Sequence, residues 1–199
     1  MFLSPRRAAR RRCGDPGADE VATMGTMRDY ALAFARTLHL SADSEDQIAR
    51  TVPTLCSPAA NFRLKRTARD IEAQSARRHA RVVAVLTDLG LHRHGHACWA
   101  TTALLREALT VETLSSDAPT PAPAACAGVL LALVRLQASR YELLANWATA
   151  AELDDAACGF TRSMAEHLLH AAALAFIALD PQSSAGTDSV PQYPMAHVH

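Results

Sequence analysis

From Met27 to Leu55 apolar residues recur at helical spacing, with Tyr30, Phe34, Leu38, Ile48, Val52 and Leu55 on one face. Pro53 predicts a kink or stop near the end of this first helix. A second helix is predicted from about Ser57, with Pro58 in its first turn. Its apolar face runs through Leu64, Ala68, Ile71, Ser75, Val82, Leu86 and Leu89, and Gly90 ends it. The stretch H-R-H-G-H leads into a shorter segment, Cys98 to about Leu114, followed by S-S-D-A-P-T-P-A-P, whose prolines and small polar residues mark a connection. A fourth helix begins near Ala122 or Ala124 and carries Leu130, Leu133, Val134, Tyr141, Leu144 and Ala148 on one face. After a break at Leu153-Asp154-Asp155, a last helix spans about Ala156 to Leu179. Nowhere do β-branched residues alternate over more than a few positions, so the class is all-α. Four long helices with a shorter one in the middle connection predict a four-helix bundle with a crossover, an architecture that can hold cofactors among inward side chains.

Composition sharpens this picture. At 199 residues and 21.4 kDa the chain suits one domain. Aromatics make up only 5% while alanine is about a fifth of all residues, which favours closely packed helices. Twenty basic residues balance twenty acidic ones, and this argues against nucleic acid as a partner of the whole chain. The exception is the basic leader M-F-L-S-P-R-R-A-A-R-R-R-C. It lacks the apolar core of an export signal, and residues 1–26 are expected to be a disordered leader ahead of a bundle at 27–180. Met24 and Met27 offer later starts, so a misassigned initiator is an open alternative. Residues 181–199 are expected to be a disordered tail. No apolar run is long enough to span a membrane, and five widely spaced cysteines without a C-x-x-C pair fit reduced thiols in a cytoplasmic protein.

Several polar groups fall where apolar ones are expected. Glu45 lies within the arc of Phe34, Leu38, Ile48 and Val52, a carboxylate pointed at the core. It has to be paired, protonated or bound to a cation, and a salt bridge to an arginine of a neighbouring helix would suffice. Glu72 and His79, one heptad apart, border the second helix's apolar face but are about 10 Å apart along the axis and cannot share one metal. Glu142 shares a stripe with Arg135, Ser139 and Asn146 and reads first as solvent-exposed. Glu166, His167 and His170 form one polar stripe opposite Leu168, Ala172 and Leu179. It reads first as the wet side of the helix, although H-x-x-H spacing permits chelation. His92, His94 and His96 could catch a transition metal adventitiously.

The segment S-A-D-S-E-D-Q-I-A-R-T-V-P-T-L, Ser41 to Leu55, resembles the opening helix of the YciE/YciF family of bacterial ferritin-like proteins, with Glu45, Gln47 and Pro53 at its marked positions. R-V-V-A-V-L-T-D-L-G, C-W-A-T-T-A-L-L-R-E-A-L and R-Y-E-L-L-A-N-W-A-T-A are similar to later segments of that family, in the same order, so the resemblance covers about Arg28 to Leu179. It implies a ferritin-like four-helix bundle with a short extra helix in the crossover between the second and third core helices. It also implies a dinuclear iron site and a stress-associated role. Glu45 and Glu142 keep two of the family's carboxylates. Ser139 and Arg140 replace a Glu and a His, Ile71 replaces another His, Ala73 and Gln74 replace an acidic pair, and Glu72 is one residue out of phase. The resemblance therefore implies a degenerate metal site, with Glu45, Glu72, Glu142, Glu166 and His170 as the remaining candidate ligands for iron and no catalytic residue assigned. Two alternatives stand beside this reading. One is a working dimetal carboxylate protein, an oxidase or an iron-handling protein. The other is an interaction module that buries an apolar helix face against a second copy as a homodimer.

Overall fold

The computed structural model describes residues 16–55, 62–92, 97–114 and 122–179, helical apart from short connections, with no strand among the described residues. Expectations for residues 1–15, Pro58, His94, His96, the 115–121 connection and the 180–199 tail fall outside them. Helix α1 spans Pro16–Thr51 and passes into a 3-10 turn at Val52–Leu55; α2 spans Phe62–Asp88, α3 Trp99–Leu114, α4 Ala122–Ala150 and α5 Asp154–Leu179. Pro53 ends α1 as its missing N–H requires. The helix starts at Pro16 rather than Met27; proline at a first helical position has its φ preset for the helix.

Helix α2 stops at a Schellman arrangement. Gly90 sits at φ 65°, its N–H bonds to the Thr87 carbonyl, and the Leu91 N–H reaches back to Leu86. The α4–α5 connection uses the same device without glycine: Glu152 is at φ 57°, and the Leu153 N–H bonds to the Ala148 carbonyl. That turn lays α5 back along α4. Helices α1 and α2 pack as a second antiparallel pair, and α2 also runs antiparallel to α5, with Arg63 at Phe176 and Arg81 at Ser163.

The core divides into two apolar halves. Ile48, Val52, Leu64, Ile71, Leu105, Leu130, Leu133, Leu174 and Ile177 fill one end. Phe34, Leu38, Val82, Leu86, Tyr141, Leu144, Ala148 and Phe160 fill the other. Each large apolar side chain fully buried here contributes about 1.5–3 kcal/mol. Between the halves every long helix contributes polar side chains at one level: Ser41, Ser44 and Glu45 from α1, Ser75 and Arg78 from α2, Gln137 from α4, and Ser163, His167 and His170 from α5, all buried. A polar layer therefore crosses the middle of the protein.

Helix α3 is tied to this layer at its N-terminus. The Cys98 backbone N–H donates to Asp43 Oδ2 of α1 at 2.6 Å, Gln47 Nε2 donates to the same oxygen, and the Thr102 hydroxyl donates to Gln47 Oε1. The Asp43 carboxylate thus caps a helix from outside it, satisfying a donor that the first turn leaves free. Asp43→Ala is expected to lower the unfolding free energy by about 1–2 kcal/mol, read from urea denaturation, without loss of helical circular dichroism.

Helix α5 corrects the reading of its polar stripe as the wet side. His167 is fully buried and His170 nearly so, whereas Leu168, Leu169, Phe176 and Leu179 face outward. The helix is turned with its histidines in and its leucines out. Burial is possible because partners from α1 and α2 meet the polar groups.

Candidate functional site

The centre of the polar layer is Glu45, whose carboxylate is fully buried. Its Oε1 accepts from Arg78 Nε at 3.1 Å and from His167 Nε2 at 2.8 Å. A carboxylate only accepts, so His167 carries its proton on Nε2. Burial pushes the Glu45 carboxyl up, but the His167 hydrogen bond, the Arg78 guanidinium and the Ser75 hydroxyl prevail and hold it at about 2.

Arg78 is itself fully buried in the middle of α2. Its Nη2 donates to the Ser75 hydroxyl at 2.9 Å, and its Nη1 lies 3.6 Å from Glu166 Oε2. Glu166 in turn takes two hydrogen bonds from Arg81 Nη2, at 2.8 and 3.1 Å, and one from Arg162 Nε at 3.2 Å, while Arg81 Nη1 donates to Ser163. Burial raises the Glu166 carboxyl, but Arg81 and Arg78 outweigh it and hold the group below the ordinary carboxylate range. Two carboxylates from α1 and α5 are thus joined through guanidinium groups of α2.

His167 and His170 stay neutral. Burial depresses His167 most strongly, against the opposing pull of Glu45. Burial, then the Arg78 charge, brings His170 down to about 4. Tyr141 stacks on His167 with ring centroids 5.5 Å apart, and burial next to the Glu45 charge keeps its phenol protonated well beyond the usual range. A run of ring contacts, Phe34 to Phe160 to Tyr141 to His167, links the apolar half of the core to the carboxylate.

A second polar group lies beside this one. Arg140 of α4 donates to the Ser44 hydroxyl at 2.8 Å and reaches Cys98 Sγ at 3.1 Å, and the Thr101 hydroxyl donates to the same sulfur. Burial raises the Cys98 thiol, but hydrogen bonds from Ser44 and Thr101, with the Arg140 charge, bring it below the ordinary thiol value. Arg140 therefore bridges α4 to α1 and α3.

Of the residues singled out in the sequence, Glu45, Glu166 and His170 lie in the layer around Arg78. Glu142 is exposed on α4, and Glu72 is half-buried on α2. His79, at the edge of the apolar face of α2, points Nδ1 at the Ala42 carbonyl at 2.9 Å. Among the described residues no group of three or more His, Cys, Asp or Glu side chains is gathered as metal ligands would be. The space between Glu45, Glu166 and His167 holds the Arg78 guanidinium, and cations are poor company for a second cation. Glu45 Oε2, the Tyr141 hydroxyl, His167 Nδ1 and His170 Nδ1 are buried without a hydrogen-bond partner among the described residues.

Arg78, Arg81 and His167 were not among the predicted site residues. A signal for Arg78 was available: it falls three residues after Ser75, seven after Ile71 and four before Val82, on the face those residues define. A long cation at a core-facing position requires a buried acid opposite, and Glu45 is that acid.

No known protein family's sequence profile and no curated protein sequence matches the chain. Solved structures do match. One is the E. coli stress protein YciF, with a TM-score of 0.69 and 19% identity over 76% of this chain and 96% of that one. Another is YcfI of Rhodopseudomonas palustris, with a TM-score of 0.61 and 22% identity over 72% of this chain and 92% of that one. No helix among the described residues is long and apolar enough to cross a membrane. The chain is all-helical and shares its fold with the E. coli stress protein YciF.

Proposed function

We propose that this chain is a ferritin-like four-helix bundle, with α3 as the extra helix of the crossover, in which an internal ion-pair layer replaces a dinuclear metal centre. Its role is then structural and stress-associated rather than redox-catalytic. The fold shared with a stress protein supports the stress association. The observation that carries the loss of metal chemistry is Arg78, which supplies a fixed positive charge between Glu45 and Glu166. A bound cation pair would have to displace it, and a buried guanidinium separated from its acid is costly. The carboxylates that would bridge two metals are already neutralised.

The unpartnered Glu45 Oε2, His167 Nδ1 and His170 Nδ1 favour the alternative, an iron-handling or oxidase site drawing on Glu45, Glu166 and His170. Elemental analysis after anaerobic iron loading separates the two. The expected result is well below one iron per chain, unchanged by Glu45→Ala, and a melting temperature insensitive to chelator. Two firmly bound irons per chain, lost in Glu45→Ala, would establish the alternative.

A further inference from the structure

A groove of about 650 Å³ lies where the C-terminal end of α2 meets the first turns of α5. Its floor is apolar, built from Val85, Leu89, Leu153 and Phe160. Its rim is acidic, with Asp88, Glu152, Asp154 and Asp155 all exposed. None of these four carboxylates makes an ion pair among the described residues. Arg81, which also lines the groove, is committed to Glu166 and Ser163. Asp154 and Asp155 stand in the first turn of α5, where the helix dipole favours acids. Asp88 is the last residue of α2, where the dipole opposes an acid, and Glu152 belongs to no helix. Local structure thus accounts for only half of the rim.

The chain carries a segment of the complementary chemistry. Residues 1–13, M-F-L-S-P-R-R-A-A-R-R-R-C, hold five arginines and no acid, and they begin with three apolar residues. The rest of the chain is left with fifteen bases against twenty acids. We infer that this N-terminal leader docks in the groove of its own chain, with Phe2 and Leu3 on the apolar floor and Arg6 and Arg7 against the acidic rim.

The length of the leader and the place where α1 enters the bundle agree with this occupant. The Phe34 ring of α1 lies 6.5 Å from that of Phe160 in the groove floor, and residues 29–32 just before it are exposed. From Phe34 back to Pro16, α1 extends about 27 Å at 1.5 Å per residue. The fifteen residues ahead of Pro16 reach about 50 Å when extended, so roughly eight of them cover the return and residues 1–7 arrive at the groove. Exposed ion pairs are individually weak. The tether offsets this, because it supplies a high effective concentration, and a contact too weak to form between separate molecules is populated within one chain.

The test is photo-cross-linking of the full chain carrying p-benzoylphenylalanine at position 2, in an equal mixture of isotope-labelled and unlabelled protein, with the joined peptides mapped by mass spectrometry. The expected result is cross-links within one chain to residues 85–89 and 152–160. Their yield should fall about fivefold or more in Asp88→Lys with Glu152→Lys, and likewise at about 1 M salt, where the screening length is about 3 Å. Both positions are exposed and a lysine at the end of α2 suits the dipole, so helical circular dichroism should not change. Adding Arg6→Glu and Arg7→Glu to the reversed rim restores the pairing in the opposite sense and should recover the cross-link. Cross-links scattered over the surface, cross-links only between labelled and unlabelled chains, or a yield that the charge reversal leaves unchanged would each overturn the inference.

Discussion

Arg78→Ala lowers the unfolding free energy by about 3–5 kcal/mol, the cost of leaving a buried carboxylate without its counter-ion. The substitution removes the Nε donor 3.1 Å from Glu45, the Nη2 donor to Ser75 and the charge 3.6 Å from Glu166. Glu166 keeps Arg81 and Arg162, so its loss is small. Glu45 keeps only neutral donors, His167 and the Ser75 hydroxyl, and is fully buried. Its carboxyl should therefore rise from about 2 toward or above the ordinary value of 4.5. Replacing both partners, Arg78→Met with Glu45→Gln, removes both charges at similar volume and should recover more than half of the loss. The measurement is guanidinium denaturation of the wild type, both single variants and the double variant at pH 7. A loss under 1 kcal/mol in Arg78→Ala, or no recovery in the double variant, would sink the assignment of Arg78 as the charge that holds Glu45.

This pair shows what the sequence discloses and what it withholds. The inward direction of Glu45 is legible because Phe34, Leu38, Ile48 and Val52 define an arc that contains it, and the need for a cation follows from burial alone. That an arginine of a neighbouring helix meets the need is also among the sequence expectations, but periodicity does not single out which one. Helix α4 is legible for the same reason: Leu130, Leu133, Val134, Tyr141, Leu144 and Ala148 are all buried, and Glu142 on the other side is exposed. Helix α5 is where the reasoning gives way. A helical period separates two faces but does not say which one is inside. The inference that leucine goes in and histidine goes out fails when polar groups on two other helices stand ready to bind the histidines. Glu45, Arg78 and Arg81 come from positions far from α5 in the chain, so only the tertiary arrangement brings them to His167 and Glu166. The outward leucines are the counterpart of this choice.

The neutral histidines make the protein acid-labile in a defined window. His170 falls from the usual 6.5 to about 4 on folding, so the unfolded chain binds more protons between those values, and stability must fall as pH drops through them. The contribution is fully present above pH 6.5 and gone below about pH 4. The full shift corresponds to at most about 3 kcal/mol, and partial screening of a side chain near the edge of the layer reduces it toward half of that. His167 is shifted in the same direction by burial and adds to the slope. Glu45 acts lower: its depressed carboxyl stabilises the fold above the ordinary 4.5, and that part is lost as pH falls from 4.5 toward about 2. The groups around His170 are Arg78 and His167, which disfavour its proton, and Asp70 and Glu166, which favour it, so protonation sets a new cation against the one already buried. Urea midpoints at pH 7, 6, 5 and 4 should fall steadily in the wild type. In His170→Gln, which cannot titrate, the decline over that range should be clearly less steep, the remainder coming from His167 and, near pH 4, from the depressed carboxylates. Parallel curves for the two proteins from pH 7 to 4 would mean that His170 takes up its proton as readily in the fold as outside it, and that the polar layer does not exclude charge.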